Sequence, residues 1–142
     1  MAVNKELKSD FLFELEGTII GPYVANEGRV IYPLTEGWFK GPKLQGKIIH
    51  GGDWLIMNAN GGVHSPDVRL ILQSEDQEII YMYYKGVLTL PQTEGELPYL
   101  RTNPMFQASG KYSWLNSILA VGVGTYVNIP GGKVRYDVFQ IL

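Results

Sequence analysis

The chain has 142 residues and a formal net charge of −2, and 45% of its residues are hydrophobic against 18% charged. This length suits one domain with one core, and the composition is typical of a globular chain rather than a disordered one. The slight negative charge and the lack of a basic run disfavour a nucleic-acid partner. No cysteine occurs, which excludes disulfides, thiolate nucleophiles and Cys-ligated metals.

The sequence predicts a protein that neither enters nor crosses a membrane. No apolar run approaches the roughly 20 residues that a membrane helix needs. Residues 1–10 contain lysines and acids but no apolar signal core. We therefore expect a cytoplasmic protein with a single domain over residues 1–142, in which residues 1–8 form a loose N-terminal lead.

The residues from Phe11 to Glu16 alternate with the period of a half-buried strand, with Phe11, Phe13 and Leu15 on one face. Gly21-Pro22 and Asn26-Glu27-Gly28 predict turns around a short strand, Arg29 to Pro33, with Pro33 at its edge or end. Beyond Trp38-Phe39, glycines at 41 and 46 predict the bulges or corners that a closing sheet needs.

The segment from Gly51 to Leu72 predicts a hairpin. An apolar run that includes Trp54 is followed by Asn60-Gly61-Gly62, residue types that tolerate the positive φ of tight turns, and then by a second alternating run. We expect Trp54 in the core. In the second run Asp67 and Arg69 share one face, opposite a face of aliphatic residues.

The second half of the chain continues the strand pattern after a polar turn at residues 74–77. Tyr112 to Val121 has both helical and strand spacing, so a short helical turn followed by a strand is expected there. Pro130-Gly131-Gly132 predicts a further turn. The remaining predicted elements are the strand Ile79–Lys85, the loop Pro91–Pro98, the strand Arg101–Gln107 interrupted by Pro104, and the strand Val134–Ile141.

These patterns predict about eight to ten strands separated by turn signals, typical of an all-β sandwich or barrel, with at most one short helix. Several spaced motifs from about residue 28 onward also resemble the DUF3237 family, also called UPF0311, of small bacterial and fungal proteins. The motifs are Gly46, Gly51-Gly52-Asp53-Trp54, Asp67-x-Arg69, Ile79-Ile80-Tyr81, Gly86, Leu100-Arg101-Thr102-x-Pro104-x-Phe106 and Trp114-Leu115-Asn116.

The resemblance implies a single antiparallel β-barrel, similar to the calycin and allene-oxide-cyclase barrels, and thereby selects the barrel over the sandwich. It implies little chemistry, because the function of the family is largely unassigned. The family pattern has a glycine in the turn before the Ile-Ile-Tyr strand, where this chain has Gln77.

Asp67 and Arg69 are the predicted catalytic pair. Facing into a barrel, Arg69 would hold a ligand carboxylate or enolate through two hydrogen bonds, and Asp67 would act as a general base. The alternative is an ion pair on the outer face. Arg101 is a second cation that could bind an anionic ligand, or could be a surface residue paired with Glu94 or Glu96.

Five further residues are candidates for ligand binding, because pockets combine aromatic side chains with a few fixed polar groups. Each has a structural alternative: cross-strand packing for the tyrosines, a buried indole for the tryptophan, and bonding to turn backbone for the amide and the acid. These candidates are Tyr81, Tyr83, Trp114, Asn116 and Asp53.

A repeated His-x-x-Asp pattern, at His50 to Asp53 and His64 to Asp67, could in principle ligate a metal, but ordinary turn histidines are the expected reading. Phosphate and dinucleotide motifs are missing, so we predict neither metal nor cofactor. The leading hypothesis is a small-molecule-binding barrel, namely a cofactor-free isomerase, cyclase or lyase acting on a small aromatic or anionic substrate. The alternatives are a non-catalytic carrier and a structural oligomerisation module, and a homo-oligomer is a possible state.

Overall fold

The computed structural model describes residues 5–58, 61–128 and 131–142. Within them no helix is long and apolar enough to cross a membrane. The same residues contain one 3-10 helix, Gly110–Ser117. The strands are β1 (Ser9–Ile19), β2 (Tyr23–Asn26), β3 (Arg29–Lys40), β4 (Gln45–Ile56), β5 (Val63–His64), β6 (Asp67–Ser74), β7 (Ile79–Thr89), β8 (Tyr99–Thr102), β9 (Met105–Ala108), β10 (Ala120–Asn128) and β11 (Lys133–Ile141).

Eight of these strands close into an antiparallel barrel in the order β1-β11-β10-β8-β7-β6-β4-β3, because β3 pairs again with β1. The remaining strands are short additions: β2 extends β3, while β5 and β9 pair with β7. The predicted all-β barrel is thus confirmed, with one more strand than the upper expected number. Closure pairs each of the eight barrel strands on both sides, which protects them from the pairing with other chains that an open edge invites, and leaves the short β2 as an edge.

The seam of the barrel is β1, which pairs with β11 on one side and β3 on the other. One carboxylate joins all three strands on the outer surface. Glu16 accepts a hydrogen bond from Trp38 Nε1 at 3.0 Å and another from the Arg135 guanidinium at 2.6 Å. The hydrogen bond from Arg135 lowers the pKa of Glu16, so the carboxylate remains charged at neutral pH.

One end of the barrel is filled by side chains. The buried rings of Phe13, Phe39 and Phe106 meet edge to face, with centroids 5.6 and 6.0 Å apart. The 3-10 helix contributes the buried Leu115 and Tyr112 to the same core. The Tyr112 hydroxyl donates to Asp76 in the β6–β7 turn at 2.8 Å, which fixes the helix against the barrel.

The predicted elements differ from the structure in three ways: some strands continue further, two contain bulges, and the short strand β2 was not predicted. The helical turn followed by a strand is confirmed at Gly110–Ser117 and β10. The expected end of a strand at Pro33 is wrong, since β3 continues to Lys40. Pro33 lies between the residues of β3 that pair with β2 and those that pair with β1, so its missing N–H interrupts neither ladder.

Some predicted features lie partly outside the described residues. Asn60 of the hairpin turn, Pro130 of the last turn and residues 1–4 of the N-terminal lead belong to this group. The described remainder of the hairpin pairs as expected, with Gly52 opposite Arg69 and Asp53 opposite Val68.

Two β-bulges place an aromatic residue on the face of its strand opposite to the expected one. In β4 the pairing with β6 shifts between Ile48 and His50, so Asp53 turns inward and Trp54 outward, where it is 40% exposed. One extra residue moves every later side chain to the opposite face. The prediction that Trp54 belongs to the core is therefore wrong. A bulge in β1 likewise leaves Phe11 exposed and Phe13 buried.

Gln77 keeps the turn geometry that the family builds with glycine, because it has a φ of 71°. Left-handed backbone is unfavourable for a residue with a Cβ. We expect Gln77→Gly to raise the free energy of unfolding by about 0.5 to 1 kcal/mol, after the greater flexibility of glycine in the unfolded chain is subtracted. Urea denaturation would measure this gain. Gln77→Ala, which keeps a Cβ, should bring none, and a gain as large as that of glycine would contradict the argument.

Candidate functional site

The unfilled end of the barrel contains a lumen with a cavity volume of about 70 Å³. The ends of β1, β4, β7 and β10 and the starts of β3, β6, β8 and β11 surround it. Its wall is mainly aliphatic: Leu15, Ile19, Leu34, Leu55, Val68, Leu88, Leu100, Val127 and Val134. An apolar cavity of this kind, with few polar groups, is typical of small-molecule sites.

Asp53 is the one carboxyl group that lines this lumen in the described part of the chain. The bulge in β4 turns it inward, and its Oδ1 accepts a hydrogen bond from the Asp67 backbone N–H at 2.9 Å. Burial raises the pKa of Asp53 to about 6, although the Asp67 N–H opposes the shift. Asp53 therefore changes charge close to neutral pH.

Three tyrosines share the lumen with Asp53. Tyr32 lies opposite Asp53 in the β3–β4 ladder, while Tyr84 and Tyr136 meet edge to face across the interior, 5.6 Å between centroids. Burial, together with the nearby Asp53 charge, raises the pKa of all three phenols. They remain protonated at neutral pH and are available as hydrogen-bond donors.

Asp67 and Arg69 do not face the lumen. Val68, Leu70 and Leu72 point inward from β6, so the intervening residues point outward, and Arg69 is exposed. The two residues border an outer groove together with Arg29 and Trp54. Of the two placements that the sequence left open, the structure has the outer face, although within the described residues no ion pair joins Asp67 to Arg69. A role for Asp67 and Arg69 in binding remains a prediction, now for the outer groove.

The other predicted aromatic and cationic candidates also lie outside the lumen. Tyr81 and Tyr83 stack on the outer face of β7, with centroids 5.1 Å apart. The Arg101 guanidinium lies 4.5 Å from the centroid of the Tyr99 ring and donates to the Leu100 carbonyl. Within the described residues Arg101 forms no ion pair, so the alternative pairing with Glu94 or Glu96 is not observed.

The Trp114-Leu115-Asn116 motif closes the filled end of the barrel. Leu115 is buried in the core, and Trp114 is partly buried beneath Lys43. The Asn116 side chain accepts from Ala108 N–H and donates to Ala108 C=O, both at 2.8 Å, and thereby binds the helix to β9. These contacts to the backbone correspond to the structural alternative to ligand binding that was given for Asn116.

The repeated His-x-x-Asp residues do not converge. His50 is exposed on the outer face of β4, whereas Asp53 points into the lumen. His64 is buried, and its Nδ1 accepts a hydrogen bond from the Asn58 backbone N–H at 3.1 Å. Among the residues that the structure describes, no group of three or more His, Asp or Glu could hold a metal ion.

Sequence reasoning included Asp53 as a secondary candidate and missed the three tyrosines. Tyr84 carried a usable signal, because it shares the inward face of β7 with Ile80 and Met82. Tyr32 and Tyr136 lie on strands that the linear pattern could not bring together. Their proximity to Asp53 depends on which strands pair.

The fold and lumen define the class of protein: a closed, eight-stranded antiparallel barrel with an internal cavity open at one end. Residues 7–141 match the DUF3237 family, described as a protein family of unknown function, and the chain belongs to that family. No curated protein matches the sequence.

Solved structures show the same fold at low sequence identity. A β-barrel-like protein of Acinetobacter baumannii is 24% identical with a TM-score of 0.82, and the alignment covers 100% of both chains. A conserved protein of unknown function from Rhodopseudomonas palustris is 23% identical with a TM-score of 0.87, covering 99% of this chain and 100% of the other. An enzyme from Penicillium herquei is 21% identical with a TM-score of 0.72, covering 100% and 99%.

Proposed function

We propose that the barrel binds a small, largely apolar organic molecule in its lumen and that Asp53 exchanges a proton with it. The chain would then be a cofactor-free enzyme of the isomerase, cyclase or lyase kind. The observation that carries this proposal is a single carboxyl group placed in an apolar cavity with a pKa of about 6. A general base or acid works best when its pKa lies near the working pH.

The tyrosines complete the proposed chemistry. When Asp53 removes a proton from a carbon or a hydroxyl of the substrate, negative charge develops on an oxygen of the substrate. The protonated phenol of Tyr136, beside which Tyr84 lies as a donor, can donate a hydrogen bond to that oxygen in the apolar cavity. In an isomerisation or a cyclisation Asp53 then returns the proton to a different atom of the same molecule. In an elimination the bond to the leaving group breaks as the new double bond forms, and Asp53 gives the proton to the departing group.

A carrier barrel is the alternative, since the same lumen could hold a ligand without changing it. An oligomerisation module is less well supported, because a module of that kind has no need for an internal cavity that contains an ionisable group. The Penicillium herquei structure supports the enzyme proposal to the extent that this fold occurs in a protein described as an enzyme.

The test has a binding part and a proton-transfer part. A metabolite library is screened by thermal shift against the natural chain, a lumen-filling variant Val134→Phe and the matched outer-face variant Val87→Phe. Ligand at a hundredfold its Kd adds about 2.7 kcal/mol of stability. Ligands that occupy the lumen should stabilise the natural chain and Val87→Phe but not Val134→Phe.

Each hit is then incubated in D₂O, and its uptake of deuterium is followed by NMR. We expect exchange with the natural chain and none with Asp53→Asn, although Asp53→Asn still binds the hit. Binding without exchange in the natural chain would identify a carrier instead. Exchange that survives Asp53→Asn would remove Asp53 from the mechanism.

A further inference from the structure

The ionisable groups that the described residues contribute to the wall of the lumen are all acids. Among the described residues, no Lys, Arg or His lines the cavity, whose titratable groups are Asp53 and the three tyrosines. The nearby cations lie elsewhere: Arg29 and Arg69 border the outer groove, and Arg101 lies over Tyr99. Within the described part of the chain no hydrogen bond joins His64 to a lumen group, and its Nδ1 accepts the Asn58 N–H.

We propose that Asp53 makes the lumen selective for neutral or cationic molecules that offer a hydrogen-bond donor, and that it excludes organic acids. This inference rests on the proposed function of the lumen as a ligand site. Of the aromatic or anionic substrate expected from the sequence, it keeps the aromatic class and excludes the anionic one. An anion entering this cavity would lie beside a like charge with no counter-charge in the wall, in surroundings that screen charge poorly.

The hydrogen bonding of Asp53 determines which hydrogen-bonding group a ligand must offer. Oδ1 is already engaged by the Asp67 N–H, and within the described residues no hydrogen bond reaches Oδ2. A ligand N–H or O–H would satisfy that oxygen, whereas a ligand carboxylate presents only acceptors. The apolar wall and the tyrosine rings suit the rest of a compact, flat molecule.

The selectivity should depend on pH through Asp53. The groups that face Asp53 are Tyr32 from β3, Tyr84 from β7 and Tyr136 from β11, and Asp67 lies at the start of β6. The three phenols stay neutral through the physiological range. The Asp67 carboxylate adds negative charge nearby and so disfavours anions further. Protonation of Asp53 in acid would remove most of the barrier to an anion.

Three probes of the same planar shape separate charge from size: benzamidine, benzamide and benzoate, which are cationic, neutral and anionic. Dissociation constants are measured by titration followed through protein NMR shifts at about pH 8. We expect benzamide or benzamidine to bind at least about tenfold more tightly than benzoate. In Asp53→Asn benzoate should become comparable to benzamide, whereas the matched variant Asp67→Asn should still reject it. Near pH 5 the natural chain should bind benzoate more tightly than at pH 8.

Failure of the charge selectivity can be distinguished from failure of the lumen as a ligand site. If benzoate binds the natural chain at pH 8 as well as benzamide does, and Val134→Phe abolishes both, the charge selectivity is overturned while the lumen remains a ligand site. If no probe binds the natural chain or Asp53→Asn, both this inference and the lumen as a site for aromatic ligands are overturned.

Discussion

Replacing Asp53 by Asn should stabilise the barrel at neutral and alkaline pH, by at most about 3 kcal/mol, and should flatten the pH dependence of its stability. Burial raises the pKa of Asp53 to about 6, above its value in the unfolded chain. Between about pH 4 and pH 6 the folded state therefore holds more protons than the unfolded state, so stability falls as pH rises through that window. Above it the full cost of the buried charge remains.

Asn is a conservative replacement here, because its side-chain oxygen can still accept the Asp67 N–H that Asp53 Oδ1 accepts. The measurement is urea denaturation of both chains at a series of pH values, with Asp67→Asn as the control for removal of a charge nearby. If the stability difference between Asp53→Asn and the natural chain does not grow between pH 4 and pH 6, Asp53 is well solvated. The argument for its catalytic role would then fail.

Truncation of Phe13 should produce the largest loss of stability among the aromatic residues of β1. Phe13 is fully buried between Phe39 and Phe106, and Phe13→Ala should lower the free energy of unfolding by about 3 to 5 kcal/mol. Phe11 is 44% exposed and touches Phe139 edge to face. Phe11→Ala should therefore cost only about 1 kcal/mol, the value of an exposed aromatic pair.

The same urea titration measures both variants, and an unchanged m-value would show that the folded and unfolded states remain comparable. Because the substitution is identical in both cases, the difference isolates the effect of the bulge between Phe11 and Phe13. Similar losses for the two variants would mean that the bulge does not separate their environments.

The strand content, most turns and the barrel class could be predicted from the sequence, because alternation and turn residues are local signals. The alternation in β6 assigned the correct residues to each face. The alternation could not show which face of β6 points into the barrel, and so could not show whether Asp67 and Arg69 face the lumen. Each strand has two faces with mixed polarity at these positions, so only the closed barrel distinguishes them.

The site depended on features with no local signal. Asp53 points inward because β4 contains a bulge that β6 does not match, and this mismatch is a property of the pair of strands. Gly51 at the bulge allows this approach, since a Cβ there would lie 2.3 Å from the Arg69 carbonyl oxygen. The glycine motif was visible in the sequence, but its consequence for Trp54 and Asp53 was not.

The pairing of β1 with β11 limits how fast the barrel can fold. Ser9 lies opposite Ile141, so the seam can close only after nearly the whole described chain is in place. Loop closure over such a distance is entropically costly, and barrels with distant pairings fold slowly. Until then β1 and β11 are open edges at which another chain can pair. Competition between closure and association with other chains therefore governs the yield of folded protein, which should fall as the chain is refolded at higher concentration.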